Sequence, residues 1–535
     1  MKPLKTLLLE GIMKNTFKNH DFLKFILLAV FFGIVFPTHL FGEEQQKELK
    51  LSLQKVIEIT LQNNLDIAVE RMHPKINEES ITFENSLFDP TLFADVSIGK
   101  DVTPSASAFA SPDVTKEENI NFSFGLKQEL KTGASYELKF DSVRNITNST
   151  FSGLDPEFSS SIDLDFTQPL LKDFGTDLNT REIKIATNDR DISQHEFKSL
   201  VIQSISDVQN IYWDLVFKRD DLKVKKQSLD LAKDLENRVR IQVDVGVLAP
   251  LEILQAQAEV AAREEAVIIT ENEIKDLEDQ LKTKLNFPPD AEEWNLTLVP
   301  TDSPSFTVET FQLEEFLKIA LENRPEMEEF LLELDNEQID VAYKENQLYP
   351  TIDLVASFGI NGISGDAVPV TSQSSGTTQT TRFGGDYDRS LSRALSGDTY
   401  SYDIGLKFEY PIGNRSAKSS LTASKLEVEK TLIEIKNQEQ EITLEVKEAV
   451  REIKTNIKRV TVTRVSKKLA KEKMSAEEKK FEVGLSTSFK VLEFQKDLTE
   501  AQSKEIKAII DYTKSIVNLY RVAGITLEKN NVELQ

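Results

Sequence analysis

The two halves of this sequence repeat one pattern of helix and strand signals. In the first half, Leu61–Asn64 lie on a helix-like stretch that leads to Pro90 and an alternating strand. In the second half, Leu321–Arg324 lead in the same way to Pro350 and another alternating strand. The offset between matched points of the two halves stays between 238 and 260 residues. We therefore predict an internal duplication, in which each half folds into the same kind of unit.

Each half then passes from its strands into a very long helical segment. The last strands end at Pro169 and Pro411, which are the predicted strand-to-helix transitions. No Pro or Gly interrupts the 63 residues of 182–244, and a helix of that length would reach roughly 95 Å. Gly246 and Gly484 each interrupt a helical pair. We predict that they mark the tips of two helical hairpins.

Six segments alternate apolar and polar residues with a period of two, which indicates strands with one apolar face. A membrane barrel with a wet lumen and a soluble sandwich would both show this alternation. The connections favour the barrel. The links 101–118, 145–158 and 362–398 are long and polar, whereas Lys131–Gly133 form a tight turn. Outer-membrane barrels have this asymmetry between their two ends.

Residues 1–42 are predicted to be a secretory signal peptide. Lysines precede an apolar run from Phe25 to Phe36, and that run is shorter than the roughly 20 residues that span a bilayer. An uncleaved N-terminal anchor is the alternative. The net charge of −25 argues against nucleic-acid binding, which needs clustered basic residues.

The composition also argues against catalysis. The chain has no cysteine, which excludes disulfides and thiolate metal sites. Outside the leader the histidines are His73 and His195, which are too far apart in sequence to be read as a metal or catalytic cluster. No glycine-rich phosphate loop is present. We therefore predict no enzymatic activity, no cofactor and no metal site.

The predicted organisation follows the duplication. After the signal peptide, the first repeat comprises helices over 43–90, four strands over 91–170 with an added hairpin at 119–141, and a helical hairpin over 171–286. The second repeat follows an irregular linker at 287–309. It comprises helices over 310–350, two strands over 351–411 with the long link 362–398 between them, a helical hairpin over 412–527 and a tail at 528–535.

From about Leu51 to Leu527 the sequence resembles the TolC family of outer membrane efflux proteins. The segments that carry the resemblance, through their order and spacing, are Ala320–Pro325, Pro411–Arg415, Val245–Val247 and Val483–Leu485. The resemblance implies an α+β membrane protein. Its fold would be a trimeric outer-membrane β-barrel continuous with a long periplasmic α-helical coiled-coil barrel, with two repeats per protomer.

The resemblance also implies a function. The homotrimer would be the passive exit duct of a tripartite efflux or type I secretion system in the outer membrane. A periplasmic adaptor would open it, and an inner-membrane RND, ABC or MFS transporter would supply the energy. The alternative from a different class is a trimeric coiled-coil surface adhesin or structural stalk. The duplication favours the duct, since an adhesin normally runs once from passenger to terminal barrel.

The family's hairpin tips contact the adaptor, and residues just beyond them close the tunnel. By resemblance, the adaptor-contacting residues are those listed here: Val245, Gly246, Val247, Val483, Gly484 and Leu485. The constriction would involve Glu252 and Glu493, with Lys490 at a position where family members often have an acid. Ser486 departs from the pattern too, because an arginine latch can stand there. A spacing of three puts Lys490 and Glu493 on one helix face, where they could neutralise each other.

Two expectations stay open at this stage. Glu252 and Glu493 could instead be ordinary solvated charges on helices. The second question is whether the added hairpin at 119–141 joins the barrel wall. The familiar family member has four strands per protomer and twelve per trimer. We expect the hairpin to join the barrel wall, which would make eighteen strands, and an external hairpin is the alternative.

Overall fold

The computed structural model describes residues 48–104, 112–371 and 376–534, so the predicted signal peptide lies outside the described residues. The strands are β1 (Glu48–Leu51), β2 (Thr91–Pro104), β3 (Val114–Glu129), β4 (Ser135–Thr147), β5 (Leu154–Pro169), β6 (Thr297–Pro300), β7 (Thr351–Ala367), β8 (Val370–Thr371), β9 (Thr378–Gln379) and β10 (Tyr400–Glu409). The helices are α1 (Leu53–Asn63), α2 (Leu65–Glu70), α3 (His73–Asn85), α4 (Thr176–Asn179), α5 (Arg181–Asp244), α6 (Pro250–Lys284), α7 (Leu313–Asn323), α8 (Pro325–Asn346), α9 (Tyr387–Ser396), α10 (Arg415–Glu482), α11 (Ser488–Val522) and α12 (Thr526–Lys529).

Six long strands form one antiparallel sheet in the order β10-β7-β5-β4-β3-β2. Directly paired residues share a face of the sheet, so the register shows which side chains lie together. One cross-strand row runs through all six strands and contains Ala94, Phe124, Phe140, Ile162, Ile360 and Tyr400. The apolar positions of the six strands therefore lie on a single face.

The added hairpin of the first repeat lies inside this sheet. β3 and β4 are joined by a tight turn in which Leu130 donates to the Ala134 carbonyl at 2.7 Å and Gly133 has φ +87°. β3 pairs with β2 and β4 pairs with β5, so this chain forms six adjacent strands rather than four. The left-handed backbone of Gly133 explains why a glycine follows Lys131 and Thr132 at this turn.

The links at the opposite end of the sheet are shorter than predicted. Pairing of β2 with β3 continues to Pro104 and Val114, and β4 extends to Thr147. The link predicted over 362–398 contains the end of β7 and helix α9. The prediction ended the strands early because the alternation of apolar and polar residues fades where both faces are polar, although the backbone pairing continues.

Two long helical hairpins account for most of the remaining chain. α5 packs against α6, α10 packs against α11, and α11 also packs against α5. One core cluster surrounds Tyr212 and Leu215, and another surrounds Val446 and Ile453. These residues belong to apolar repeats with alternating spacings of three and four, which bury a seam between neighbouring helices. In the described part of the chain, no helix has an apolar stretch sufficient to cross a membrane.

The linker over 287–309 is not wholly irregular. Its β6 pairs in parallel with β1, so that Leu51 lies opposite Pro300. The four prolines of this segment suggested irregular chain, but a proline at a strand end does not interrupt the ladder. The pairing attaches the beginning of the described chain to the segment between the two predicted repeats.

The helix-start motif of each predicted repeat has a structural role. Asn64 caps α2 by accepting from the Ile67 amide at 3.1 Å, and its side chain donates to the Lys284 carbonyl at 3.0 Å. At the matched position of the second repeat, the buried Arg324 forms ion pairs with Glu326 and Glu445. Both residues therefore attach the start of a short helix to a long one. Asn64 does so by a side-chain amide hydrogen bond to α6, and Arg324 does so by an ion pair with α10.

Candidate functional site: the polar sheet face and the helix tips

The two faces of the six-stranded sheet differ in chemistry. One face is apolar, and its residues remain exposed, for example Val96, Ile98, Ile404 and Phe408. By strand alternation, the acids of the opposite face are Asp95, Asp101, Glu117, Glu129, Glu137, Asp141, Glu157, Asp163, Asp165, Asp353, Asp403 and Glu409. A sheet with an exposed apolar face and a charged opposite face has the distribution of a transmembrane barrel wall.

The lysines of the polar face lie opposite acids. Lys407 pairs across strands with Asp353, and Lys127 pairs with Glu137. Lys139 lies opposite Asp163, and its ammonium also forms an ion pair with Asp141 at 2.9 Å. Because acidic residues outnumber these three lysines on this face, the surface carries excess negative charge and attracts cations.

The strand-to-helix transitions lie at the end of the sheet where β5 and β10 end and lead to the long helices. Pro169 is the last residue of β5 and pairs with Asp353. Pro411 follows β10, and its carbonyl accepts from the amide of Asn414, which is the N-cap of α10 and has φ +40°. The Asn414 side chain donates to the Leu348 carbonyl at 3.3 Å. Since neither proline can donate to a strand neighbour, each is compatible with the end of the ladder.

The two helix tips have the same backbone geometry. In the first, the Gly246 amide donates to the Val243 carbonyl at 2.9 Å and the Val247 amide donates to the Gln242 carbonyl at 2.8 Å. In the second, Gly484 and Leu485 donate to the matching carbonyls of Phe481 and Lys480, at 3.0 and 2.8 Å. With φ of +75° at Gly246 and +78° at Gly484, both helices end in a Schellman motif, which favours glycine at this position.

Apolar side chains project from both tips. Val247 is 70% exposed and Leu485 is 78% exposed, and Val245 and Val483 are similarly open. A cluster of exposed aliphatic side chains at the end of a helical hairpin is unusual on a surface that contacts only water. The tips therefore have the chemistry of a protein-binding surface.

Glu252 connects the two tips. It lies in the first turn of α6, half-buried, and its carboxylate accepts a hydrogen bond from the hydroxyl of Ser488, the first residue of α11. Ser488 is itself buried. The carboxylate is therefore hydrogen-bonded within this chain rather than freely solvated.

Lys490 and Glu493 have different surroundings from those of Glu252. Both are exposed, and within the described residues no ion pair joins them. Lys490 instead lies near Glu477, whose carboxylate accepts from Ser486 and from Lys480. These two hydrogen bonds, together with the nearby positive charges, lower the pKa of Glu477. Glu493 therefore stays an exposed, uncompensated carboxylate on α11.

Sequence reasoning missed Glu477 and Ser488 as residues of this region. Glu477 precedes the tip glycine by seven residues, and its link to Ser486 closes the turn of the second hairpin at 2.5 Å. No sequence signal distinguished it from the many other acids of α10. Ser488 follows Thr487, the N-cap residue of α11, and an N-cap pattern is the one signal that could have directed attention to it.

A buried arginine, Arg263, joins α5, α6 and α11 near the tips. Arg263 of α6 is 7% exposed, and its guanidinium forms an ion pair with Glu259 at 3.0 Å. It also donates to the Ser228 carbonyl of α5, to the Leu492 carbonyl of α11 and to the Gln495 side chain, at 2.9, 3.0 and 3.1 Å. Arg263 therefore fixes the position of α11 relative to the first hairpin.

The described residues contain no group of three or more His, Cys, Asp and Glu side chains arranged to hold a metal ion. The cavities between the described elements are shallow. One of about 380 Å³ is lined by Asp214, Lys218, Glu273 and Lys507. It brings together oppositely charged helix side chains, of which Lys218 and Glu273 form an ion pair at 2.6 Å. This arrangement is that of a helix-packing crevice.

Comparison with known families gives one match. Residues 316–525, which include α8, α10, α11 and the second tip, match the outer membrane efflux protein family. No curated protein sequence matches the chain.

Several solved structures share the fold. The outer-membrane channel OprN has a TM-score of 0.64 at 15% identity, with 88% of this chain and 89% of that chain covered. The Campylobacter jejuni CmeC outer membrane channel has a TM-score of 0.63 at 15% identity, with 90% of each chain covered. VceC from Vibrio cholerae has a TM-score of 0.61 at 14% identity, with 88% of this chain and 96% of that chain covered. At these identities the likeness establishes the fold, over nearly the whole length of each channel.

Proposed function

We propose that the protein is a passive exit duct in the outer membrane. The match of residues 316–525 to the outer membrane efflux protein family and the fold shared with solved outer-membrane channels support this proposal. Three copies form one β-barrel through the membrane and one helical tunnel across the periplasm. The duct serves a tripartite efflux or type I secretion system.

The single observation that carries this proposal is the two-faced sheet continuous with the long helices. Its apolar face is exposed on six adjacent strands, and its other face is acidic. β5 and β10 lead through Pro169 and Pro411 towards helices of 64 and 68 residues. At 1.5 Å per residue these helices are roughly 96 and 102 Å long.

The edges of the sheet support a closed trimer. β10 and β2 are the two edge strands of the protomer, and exposed edges in a membrane leave backbone groups without partners. Pairing β10 of one protomer with β2 of the next removes these edges. Six strands from each of three protomers make an eighteen-stranded barrel, wider than one of twelve strands.

The tips provide the contact with the rest of the system. The exposed side chains of Val245, Val247, Val483 and Leu485, around the two glycines, form the surface for a periplasmic adaptor. The inner-membrane RND, ABC or MFS transporter supplies the energy, and the adaptor moves the tips between a closed and an open arrangement.

The constriction lies just beyond the tips. Glu252, Glu493 and Lys490 are within one or two helical turns of the tip loops. In the trimer, Glu493 supplies a ring of exposed carboxylates that selects cations. Glu252 contributes chiefly to closure, because its carboxylate is occupied by Ser488.

Single-channel recording tests this function. Purified protein is reconstituted in a planar bilayer, and its mass in detergent is measured by light scattering. We expect a trimeric mass and cation-selective conductance. A protein that never inserts or conducts and has a monomeric mass contradicts the duct, whereas a non-conducting trimer favours the alternative of a coiled-coil adhesin or stalk.

A further inference from the structure

The apolar face of the sheet is uncharged along its membrane-facing length and becomes basic at one end. In the described strands, the charged residues that share this face by alternation are Lys100, Lys116, Glu118, Arg144 and Asp366. All of them lie at the end of the sheet distant from the helices. Glu118 forms an ion pair with Lys100, and Asp366 is on β7, two strands from β4. On this face, the charge of β2, β3 and β4 at this end is therefore net positive.

The register places these cations at the edge of the apolar belt. Arg144 lies opposite Ile120 on one side and Phe158 on the other. Lys116 lies opposite Val102, beyond the row that contains Ile98 and Ile120. The cations therefore lie at the end of the belt, interspersed with its last aliphatic residues, Val102, Val114 and Ile146.

Two of these cations have no hydrogen-bond or ion-pair partner in the part of the chain that the structure describes. Among the described residues, no hydrogen bond or ion pair engages the ammonium of Lys116 or the guanidinium of Arg144. Arg144 is half-buried and lies within electrostatic range of Glu118, whereas Lys100 and Lys116 are exposed. One carboxylate thus faces three cations.

Helix α9 shows that this level of the sheet is an interface. It packs on the apolar face. The hydroxyls of Ser390 and Ser160 form a hydrogen bond of 2.9 Å, and the Tyr387 ring packs edge-on against the Phe158 ring, with the ring centroids 6.0 Å apart. Arg393 holds it there by donating to the carbonyls of Ile363 and Phe383, both at 2.7 Å.

The exposed side chains of α9 have interfacial chemistry. Tyr387 remains 40% exposed and Leu395 62% exposed, beside the strand that carries Phe158. Aromatic and aliphatic side chains next to basic ones are typical of the boundary between the hydrocarbon and the headgroups.

We propose that Lys100, Lys116 and Arg144 form a binding surface for the phosphate groups of lipid in the outer leaflet, with the acyl chains covering the apolar belt below. This inference rests on the outer-membrane location proposed above. Ammonium and guanidinium groups form their strongest hydrogen bonds with ionised oxygens such as those of phosphate. A phosphate at this level supplies the negative charge that the protomer itself lacks, and it lies at the depth where lipid headgroups are.

The test measures lipid binding to the purified trimer. Bisphosphorylated lipid A and the same lipid without phosphates are added separately in detergent, and bound copies are counted by native mass spectrometry. The variant K100Q/K116Q/R144Q should lose binding of the bisphosphorylated lipid by tenfold or more. The matched control K127Q/K139Q/K407Q removes the same charge from the polar face of the sheet and should bind like the wild type.

Three outcomes overturn the proposal: equal loss in both triple variants, no loss in either, or wild-type binding that does not depend on phosphate. Because Arg144 is half-buried, the double variant K100Q/K116Q, which changes exposed residues alone, is measured as well and should show a smaller loss. Conductance of the same preparations keeps the two proposals separate, since a duct that conducts normally without binding lipid phosphate contradicts this inference alone.

Discussion

The hydroxyl of Ser488 donates to the carboxylate of Glu252, so that the first residue of α11 is attached to the first turn of α6. This bond joins the two helical hairpins beside their tips. Widening the tips by moving one hairpin away from the other requires breaking it. Hydrogen bonds to charged groups contribute about 1.5–3 kcal/mol, enough to shift a two-state closure by about tenfold to more than a hundredfold.

We therefore expect Ser488→Ala to open the duct. With the hydroxyl removed, the closed arrangement loses one charge-assisted hydrogen bond and the open fraction rises. Single-channel recordings should show a higher open probability or a larger resting conductance. Ser466→Ala, at an exposed position of α10, is the control. Identical recordings for the two variants would show that this bond does not hold the tips closed.

Glu493→Gln should reduce the preference for cations. The exposed carboxylate has no ion-pair partner among the described residues, so its full charge acts on passing ions. Reversal potentials in a salt gradient should shift toward those of an unselective pore, and block by multivalent cations should weaken. Glu252→Gln should affect selectivity less and gating more, because Ser488 already engages that carboxylate. Unchanged selectivity in both variants would place the constriction elsewhere.

Arg263→Ala should loosen α11 without unfolding the protein. The substitution leaves the buried carbonyls of Ser228 and Leu492 without their donor, and breaking a buried charged network costs about 3–5 kcal/mol. Hydrogen exchange of α11 near Leu492 should accelerate markedly. Arg238→Ala, also on a long helix but outside this network, should leave that exchange unchanged. Protection that survives in Arg263→Ala would mean that the apolar contacts of α11 suffice.

Glu329 should make stability depend on pH. Burial raises its pKa to about 7, with smaller contributions from the carboxylates of Glu326, Glu196 and Glu333. Between its unfolded pKa near 4.5 and about 7, the unfolded chain has lost this proton while the folded chain retains it, so stability falls as pH rises through that window. After allowance for its partial exposure, we expect a loss of about 1–2 kcal/mol.

Thermal unfolding at pH 5 and pH 8 measures this effect. Glu329→Gln should raise the Tm at pH 8 and leave the Tm at pH 5 nearly unchanged, because glutamine resembles the protonated acid. Glu328→Gln, at the neighbouring exposed position, should leave both values near those of the wild type. An equal gain at both pH values would indicate a general effect of charge rather than ionisation of Glu329.

Gly362→Ala should displace α9 from the sheet. A Cβ at Gly362 would meet the Ser390 carbonyl oxygen at 2.1 Å and the Ala394 amide nitrogen at 2.4 Å. These are backbone atoms that cannot rotate away, so the helix must move. Limited proteolysis should cut the segment around Tyr387–Ser396 faster in this variant. Gly99→Ala, where a Cβ meets nothing within 4 Å, should be cut like the wild type, and equal rates would show that α9 adapts.

The sequence alone determined the features that depend on neighbouring residues. Alternation placed Ile162 and Ile360 on the apolar face, because successive side chains of a strand point to opposite sides. Gly246 and Gly484 marked the tips, because the left-handed backbone that ends each helix favours glycine.

The tertiary structure decided everything that depends on partners distant in sequence. It placed β3 and β4 between β2 and β5, a choice that alternation cannot make because an external hairpin would alternate in the same way. It also gave Glu252 its partner Ser488, separated from it by 236 residues, and left Glu493 without an ion-pair partner among the described residues. Local sequence specifies the sheet face on which a side chain lies and the turn that ends a helix. Only the packing of the two helical hairpins decides which carboxylates are hydrogen-bonded and which remain exposed to passing ions.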